Sequence, residues 1–298
     1  MLSGFSAQAM RTGDLVSSEL HGRVAIVTGA GGGIGRAHAL RLASLGATVV
    51  VNDLGTTLDG SGVDSRRAAV VVDEIRALGG EAIADVADIA SLAGGRRVVA
   101  RAIEQFGRVD IVINNAGFAV GGGTVIDPDE EALDRLMDVH LKAAIGTMSA
   151  AVPDMVTRGW GRVVNTVSEA ALDARFAATL GYGAAKAALW SATLVAASET
   201  AGTGVTVNAI SPGARTRMNA ELLDHNFRGG RAIDLDPAHV ANVVAYLLSN
   251  DAADINGRVL HAAGGEVREY STTRTSKSQL VARISAHQLL ALEPTPER

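Results

Sequence analysis

Between residues 23 and 263 the chain alternates short runs of aliphatic and β-branched residues with longer stretches in which apolar positions recur every three or four residues. The short runs are RVAIVT (23–28), ATVVVN (47–52), EAIADV (81–86), VDIVIN (109–114), RVVNTV (162–167), GVTVNAI (204–210) and RVLHAA (258–263). Near-continuous apolar runs of this kind predict strands buried on both faces. The stretches between them, around 34–45, 63–78, 91–106, 129–157, 182–201 and 238–249, carry the helical period. Strand and helix in repeated alternation predict an α/β fold, a Rossmann-type doubly wound sheet of seven parallel strands with helices on both faces and right-handed crossovers. One domain, 22–265, holds all of it. Residues 1–21 form a loose N-terminal arm. Residues 266–298 form a C-terminal tail that begins polar and then shows an amphipathic stretch, LVARISAHQLLAL, which either covers a neighbouring subunit or is flexible, contact being favoured.

Composition narrows the chemistry. At 298 residues the chain has ample material for one large core. No cysteine occurs, which excludes disulfides, thiolate nucleophiles and cysteine-based zinc sites, and no metal site is expected. A net charge of −5 gives no electrostatic footprint for nucleic acid. No apolar run reaches the roughly 18 residues of a membrane span, and the first residues lack the apolar core of a secretory signal. A cytoplasmic location is expected.

The segment VAIVTGAGGGIGRAHALRLASLGATVVVNDLG (24–55) sets out a strand, a glycine turn, a helix, a second strand and an acid. Gly29, Gly33 and Gly35 permit a tight turn, close approach of backbone to a phosphate, and close packing of helix on strand. The helix that begins at Ile34 would offer unpaired N–H groups to a pyrophosphate. Asp53, ending the second strand, is placed to accept hydrogen bonds from ribose hydroxyls and would repel a 2′-phosphate. NAD is therefore expected rather than NADP. The plainer alternative makes Asp53 a turn residue beside LG. After the third strand, Asp88 and Ile89 either hold the adenine or, for Asp88, cap the next helix.

Further along, GYGAAKAALW (181–190) sets Tyr182 and Lys186 four residues apart, in a chain with three tyrosines and three lysines in all. On a helix the two would share a face. They form either a functional pair or a half-buried tyrosine above a solvated lysine.

Together TGAGGGIG (28–35), NNAG (114–117), YGAAK (182–186) and SPGART (211–216) resemble the signature motifs of the short-chain dehydrogenase/reductase family over residues 22–265. The resemblance implies a nicotinamide-dependent oxidoreductase. It puts Ser168 at the family's catalytic serine and Tyr182 at its acid/base. Lys186 would both lower the tyrosine pKa and hold the nicotinamide ribose. Asn115, Ala116 and Gly117 would line the cofactor, and Ile210, Pro212, Gly213 and Thr216 would close over the nicotinamide. A phenol with an ordinary pKa of ~10 needs a shift of about 3 units, or ~4 kcal/mol, to serve as a base near neutrality. The resemblance also implies a homodimer or homotetramer built on the helices at 129–157 and 182–201.

Two positions depart from the common pattern. His140 stands where many members carry an asparagine that shapes a proton relay. It would either fill that role while adding a group that titrates near neutrality, or pack as a core histidine. Glu169, directly after Ser168, faces solvent or lines the pocket mouth. VVVNDLG, VHLKA and GGEVREYSTTR are similar to the (3R)-hydroxyacyl-CoA dehydrogenase units of multifunctional β-oxidation enzymes and their bacterial single-domain relatives. That branch implies oxidation of a 3-hydroxyacyl-CoA or a similar hydrophobic alcohol. Phe118, Phe176, Met218, Leu222 and Leu223 either touch such a substrate or pack as core and lid. The competing readings are a 3-oxoacyl carrier reductase, a dehydrogenase of steroid or cyclic alcohols, and a non-catalytic NAD(H)-sensing protein.

Overall fold

The computed structural model describes residues 19–57, 60–173, 179–216 and 234–271. Its strands are β1 (Val24–Thr28), β2 (Thr48–Asn52), β3 (Ala82–Asp85), β4 (Ile111–Asn114), β5 (Gly161–Thr166), β6 (Val205–Gly213), β7 (Val259–Ala263) and β8 (Glu266–Tyr270). Its helices are α1 (Gly33–Ser44), α2 (Arg66–Ala77), α3 (Leu92–Phe106), α4 (Glu130–Met137), α5 (Ala143–Arg158), α6 (Leu180–Glu199) and α7 (Pro237–Leu248). The strands form one sheet in the order β3-β2-β1-β4-β5-β6-β7-β8, with every pairing parallel except the last.

Strand geometry explains why the apolar runs show no polar alternation. Successive side chains point to opposite faces, and here both faces are covered. Ala25, Val27, Val49, Val51, Ile111 and Ile113 join one buried cluster with residues of α1, α2 and α7. The residues between them, Ile26, Val50 and Val112, join a second cluster with α3 and α5.

The chain leaves β1 in one direction to build β2 and β3, then returns to place β4 against the other side of β1. The crevice that this reversal opens at the carboxyl ends of β1 and β4 is where open α/β sheets bind ligands.

Three differences from the sequence expectation bear on function. The helix expected over 129–157 is interrupted: a π-helical turn, Asp138–Lys142, separates α4 from α5 and carries His140. Such turns cluster at functional sites. Helix α6 starts at Leu180, earlier than the apolar period suggests, because the Thr179 hydroxyl accepts the N–H of Tyr182 at 3.2 Å and caps the helix. Finally the sheet does not stop at residue 265. Gly264 and Gly265 turn the chain into β8, which pairs antiparallel with β7 from Ala263↔Glu266 to Val259↔Tyr270. A two-residue Gly-Gly connection between strands is a hairpin signal, so the first residues of the expected tail belong to the sheet. The arm likewise touches the domain at its end: Leu20 is buried and its N–H donates to the Leu45 carbonyl.

His38, on α1, is 1 % exposed and neither ring nitrogen has a hydrogen-bond partner among the described residues. Burial pushes its pKa down from 6.5 to about 3. The folded state thus refuses a proton that the unfolded chain takes up below 6.5, so stability is full above that pH and falls as pH drops toward 3. Between pH 7 and pH 5 the loss should be about 2 kcal/mol. His38→Leu should flatten this slope in urea unfolding measured at the two pH values; an unchanged slope would contradict the assignment.

Candidate active site

The glycine turn between β1 and α1 is dictated by what lies against it. Gly29 has φ 65°, and a Cβ there would sit 2.7 Å from the Ala116 Cα. A Cβ on Gly35 would sit 2.2 Å from the Gly29 carbonyl oxygen and 2.6 Å from the Asn115 Nδ2. Asn115 donates from Nδ2 to the carbonyls of Thr28 and Gly29, and the Thr28 hydroxyl accepts the N–H groups of Asn115 and Ala116. These bonds sew the ends of β1 and β4 together. No side chain caps α1 and no acidic residue occupies its first turn, which leaves its N-terminal N–H groups turned toward the crevice.

Asp53 is held by backbone alone. Its Oδ2 accepts the Gly31 N–H and its Oδ1 the Gly55 N–H, each at 2.7 Å. Each oxygen keeps a second lone pair, so the carboxylate is oriented yet still able to receive two hydroxyls. A Cβ on Gly31 would meet both Asp53 and Arg67 at 2.8 Å. Arg67, from α2, also lines the cleft and is anchored on the Thr56 carbonyl at 3.0 Å. Sequence reasoning missed this cation because it lies 14 positions beyond Asp53 and reaches the site only through the loop before α2. Asp88 lines the cleft and accepts the Ala90 N–H at 2.8 Å; the cap of α3 is Ser91, whose hydroxyl accepts the Gly94 N–H. Ile89 lies buried in the same wall.

At the other end of the cleft, α6 presents Tyr182 and Lys186. The ammonium is 3 % exposed, donates to the Thr166 carbonyl at 2.6 Å, and lies 5.7 Å from the centroid of the phenol ring. Burial lowers its pKa to about 7. Burial raises the Tyr182 phenol above its ordinary value, and the Ser168 hydroxyl offsets part of the rise. The pair does share one face, as the spacing predicts, but the lysine is buried rather than solvated. The direction of the phenol shift is opposite to the one expected, because loss of water is the largest influence on the hydroxyl. Beneath them a buried chain of amides and hydroxyls fixes the frame: Thr147 donates to Asn114, Asn114 to Asn165, and Asn165 to Thr193.

His140 packs edge-on to Tyr182, with centroids 5.5 Å apart. It is 2 % exposed, and its Nε2 lies 2.8 Å from the Phe118 carbonyl. A carbonyl only accepts, so Nε2 carries the proton and Nδ1 is the free lone pair, without a partner among the described residues. Burial, reinforced by the Lys186 charge, holds the ring well below its ordinary pKa. His140 therefore stays neutral, and the expected titration near neutrality is corrected. A Cβ on Gly117 would lie 2.1 Å from the His140 Cε1, so the glycine accommodates the ring.

A single cleft of ≈ 350 Å³ is lined by every candidate cofactor and catalytic residue except Gly213 and Ile210. Ile210 is fully buried in the core, and Gly213 is small because its Cβ would meet that of Ala263 at 2.5 Å. Pro212 and Thr216 line the cleft, the latter beside Gly33. Phe118 is in the wall but packs on Leu136 and Ala185. Phe176, Met218, Leu222 and Leu223 lie outside the described residues, as do the tail beyond 271 and the arm before 19. Among the described residues no group of His, Asp or Glu side chains could hold a metal, and no helix is long and apolar enough to cross a membrane.

Comparison with known proteins agrees with this geometry. Residues 23–226 match the family model described as short chain dehydrogenase. The chain is 42 % identical over 245 residues to the peroxisomal multifunctional enzyme type 2 of Drosophila melanogaster, covering 82 % of this chain but 39 % of that enzyme. It is 37 % identical over 280 residues to the hydroxyacyl-CoA dehydrogenase ChsB1 of Mycobacterium tuberculosis, covering 91 % and 84 % of the two chains. The crystal structure of a short chain dehydrogenase from Mycobacterium avium superposes with a TM-score of 0.73 at 38 % identity, over 94 % of this chain and 98 % of that one. With a profile match over most of the chain and close relatives at this level of identity, the chain belongs to the short-chain dehydrogenase family.

Proposed function

We propose that this protein oxidises a secondary alcohol to a ketone with NAD, and that its substrate is a 3-hydroxyacyl-CoA or a hydrophobic alcohol of similar shape. The observation that carries this reading is the meeting, in one cleft, of a glycine turn with its ribose-binding acid at one end and the Ser168–Tyr182–Lys186 group at the other. The residues fit a nicotinamide dinucleotide: the glycine turn leads into an uncapped α1 with no acidic residue in its first turn, which suits a pyrophosphate, and Asp53, oriented by two backbone N–H groups, suits an adenosine ribose. When bound, that group supplies the acceptor for the hydride lost by the carbinol carbon.

The chain supplies the rest. The Tyr182 oxygen, as phenolate, takes the hydroxyl proton as the carbinol carbon gives up its hydride, so the two-electron oxidation balances. Ser168 holds the substrate oxygen. Lys186, placed beside the phenol, stabilises the phenolate form and is positioned for the second ribose. His140, fixed in its Nε2–H form, keeps a free lone pair on Nδ1 and packs edge-on against Tyr182 in the wall of the site. The acyl-CoA assignment rests on the Drosophila and Mycobacterium relatives by name. A homodimer or homotetramer is part of the same reading, supported by exposed Ile145, Val156, Leu194 and Val195 on α5 and α6.

Reduction of NAD by a panel of 3-hydroxyacyl-CoA, steroid and cyclic alcohols tests the reading, and Tyr182→Phe should lower kcat by about 10²–10⁴. Because burial holds the phenol up, kcat/KM for oxidation should climb from pH 7 toward pH 10; a flat or falling profile would remove Tyr182 as the base. A carboxylate about 4 Å from a 2′-phosphate costs about 4 kcal/mol per phosphate charge at an effective dielectric near 20. Asp53→Ala, leaving Arg67 in place, should therefore cut the NAD-over-NADP ratio of kcat/KM by at least about tenfold. An unchanged ratio would show that Asp53 does not read the ribose. For Lys186 the folded pKa of about 7 lies below the ordinary lysine value of 10.5, so the stability tied to its burial is greatest above 10.5 and declines as pH falls to 7. Lys186→Met should abolish turnover, and its midpoint relative to wild type should be highest near pH 7 and fall toward pH 10. A pH-independent difference would contradict the buried cation.

A further inference from the structure

Glu169 directly follows Ser168, yet its side chain is only partly exposed and does not line the cleft. It folds back to accept the hydroxyl of Tyr270, the last residue of β8, 101 positions away. Both burial and the Glu169 carboxylate raise the Tyr270 phenol, so the phenol keeps its proton and is the donor. His261 on β7 brings Nδ1 to 3.8 Å from the same carboxylate, beyond hydrogen-bond reach, and that nitrogen has no partner among the described residues. The tyrosine ring is fixed from two sides, edge-on to Trp190 of α6 at 5.5 Å and to His261 at 6.3 Å.

The loop that this contact holds is the one that carries Ser168. The Val167 N–H donates to the Ile210 carbonyl. Ser168 then takes an extended conformation and caps the single 3-10 turn Glu169–Ala171, its hydroxyl accepting the Ala170 N–H at 3.2 Å. On its inner side the turn lies against Gly183, where a Cβ would come within 3.1 Å of the Ala170 carbonyl. On its outer side the Glu169–Tyr270 bond ties it to the β7–β8 hairpin. A turn of three residues has little rigidity of its own, so these lateral contacts set where the Ser168 hydroxyl sits relative to Tyr182.

We propose that Tyr270 is a positioning residue for Ser168, acting through the Glu169 carboxylate, so that the antiparallel strand beyond the parallel sheet is part of the active-site scaffold. The inference rests on the roles given above to Ser168 and Tyr182. A group that acts only on alignment should alter the chemical step and leave dinucleotide affinity alone.

Two measurements on the full chain test it. The first needs no turnover: with 13C at the tyrosine Cζ, the chain's three tyrosines give at most three resonances, assigned by single Tyr→Phe changes. Tyr270→Phe and Glu169→Ala should each move the Tyr182 resonance in the direction seen for Ser168→Ala. Glu169→Gln, which retains an acceptor for the phenol, should move it far less. The second is kinetic: Tyr270→Phe and Glu169→Ala should each lower kcat for alcohol oxidation by about tenfold, the double change no further, with dinucleotide Kd held within about twofold. Glu169→Gln should recover most of the loss. A Tyr182 resonance unmoved by both Tyr270→Phe and Glu169→Ala overturns the proposal, as does a fall in kcat matched by an equal loss of dinucleotide affinity or of folded protein. If no alcohol in the panel is oxidised by wild type, the functional reading fails while the resonance shifts still decide this one.

Discussion

The site is organised around a lysine that the protein keeps out of water. Taking an ammonium out of water carries a penalty of several kcal/mol even after relaxation, and the bond seen here, to the neutral carbonyl of Thr166, offsets only part of it. The depressed pKa of Lys186 is the visible remainder. A fold does not retain such a group for stability when a methionine would fill the space. A strongly shifted lysine in a cleft, beside a tyrosine and a serine, is the signature of a reactive site. Its placement depends on the end of β5 for the accepting carbonyl, on the Thr179 cap for the start of α6, and on the Asn114–Asn165–Thr193 chain for the distance between them.

The same burial acts on the phenol in the opposite sense. Desolvation disfavours the charged form of each partner, so it lowers the lysine and raises the tyrosine. In the protein alone the neutral pair is thus favoured over the phenolate–ammonium pair. The simple picture of an ammonium that makes the phenol acidic by proximity omits desolvation, which is the largest influence on Tyr182 here. Ser168 is the group in the described chain that works against desolvation of the phenol. Under the proposed mechanism the position of its hydroxyl would bear on proton transfer as well as on the substrate oxygen.

Much of this was legible in the sequence, for identifiable reasons. The apolar runs mark strands because both faces of the sheet are covered, and the glycine turn is readable because its constraints are local, lying between β1 and α1. Spacing four apart was enough to put Tyr182 and Lys186 on one face. What escaped depends on residues far apart in the chain. Arg67 enters the cleft from α2, and Gly117 must be small because His140 arrives from a π-helical turn some twenty positions on. The neutrality of His140 follows from burial, which residue type does not reveal. The partner of Glu169 lies 101 positions away on another element, although the Gly-Gly step that turns β7 into β8 was a readable hairpin signal.

These contrasts divide the cleft into halves that answer to different physics. At the dinucleotide end the chain works by leaving side chains out: Gly29, Gly31 and Gly35 sit where a Cβ would strike neighbouring backbone or the Asp53 carboxylate, and that carboxylate is itself aimed by two backbone N–H groups. Its shape follows from the β1–α1 turn and the β1–β4 junction, so it tolerates change elsewhere in the fold. At the reactive end the cleft is lined by side chains from the end of β5 and the loop after it, from α6 and from the π-helical turn, and Glu169 beside Ser168 is tied to β8. A change distant in sequence can reach this half without disturbing the other. The fold thereby keeps the acceptor's seat constant while the alignment of the proton-transferring groups stays open to adjustment from the edge of the sheet.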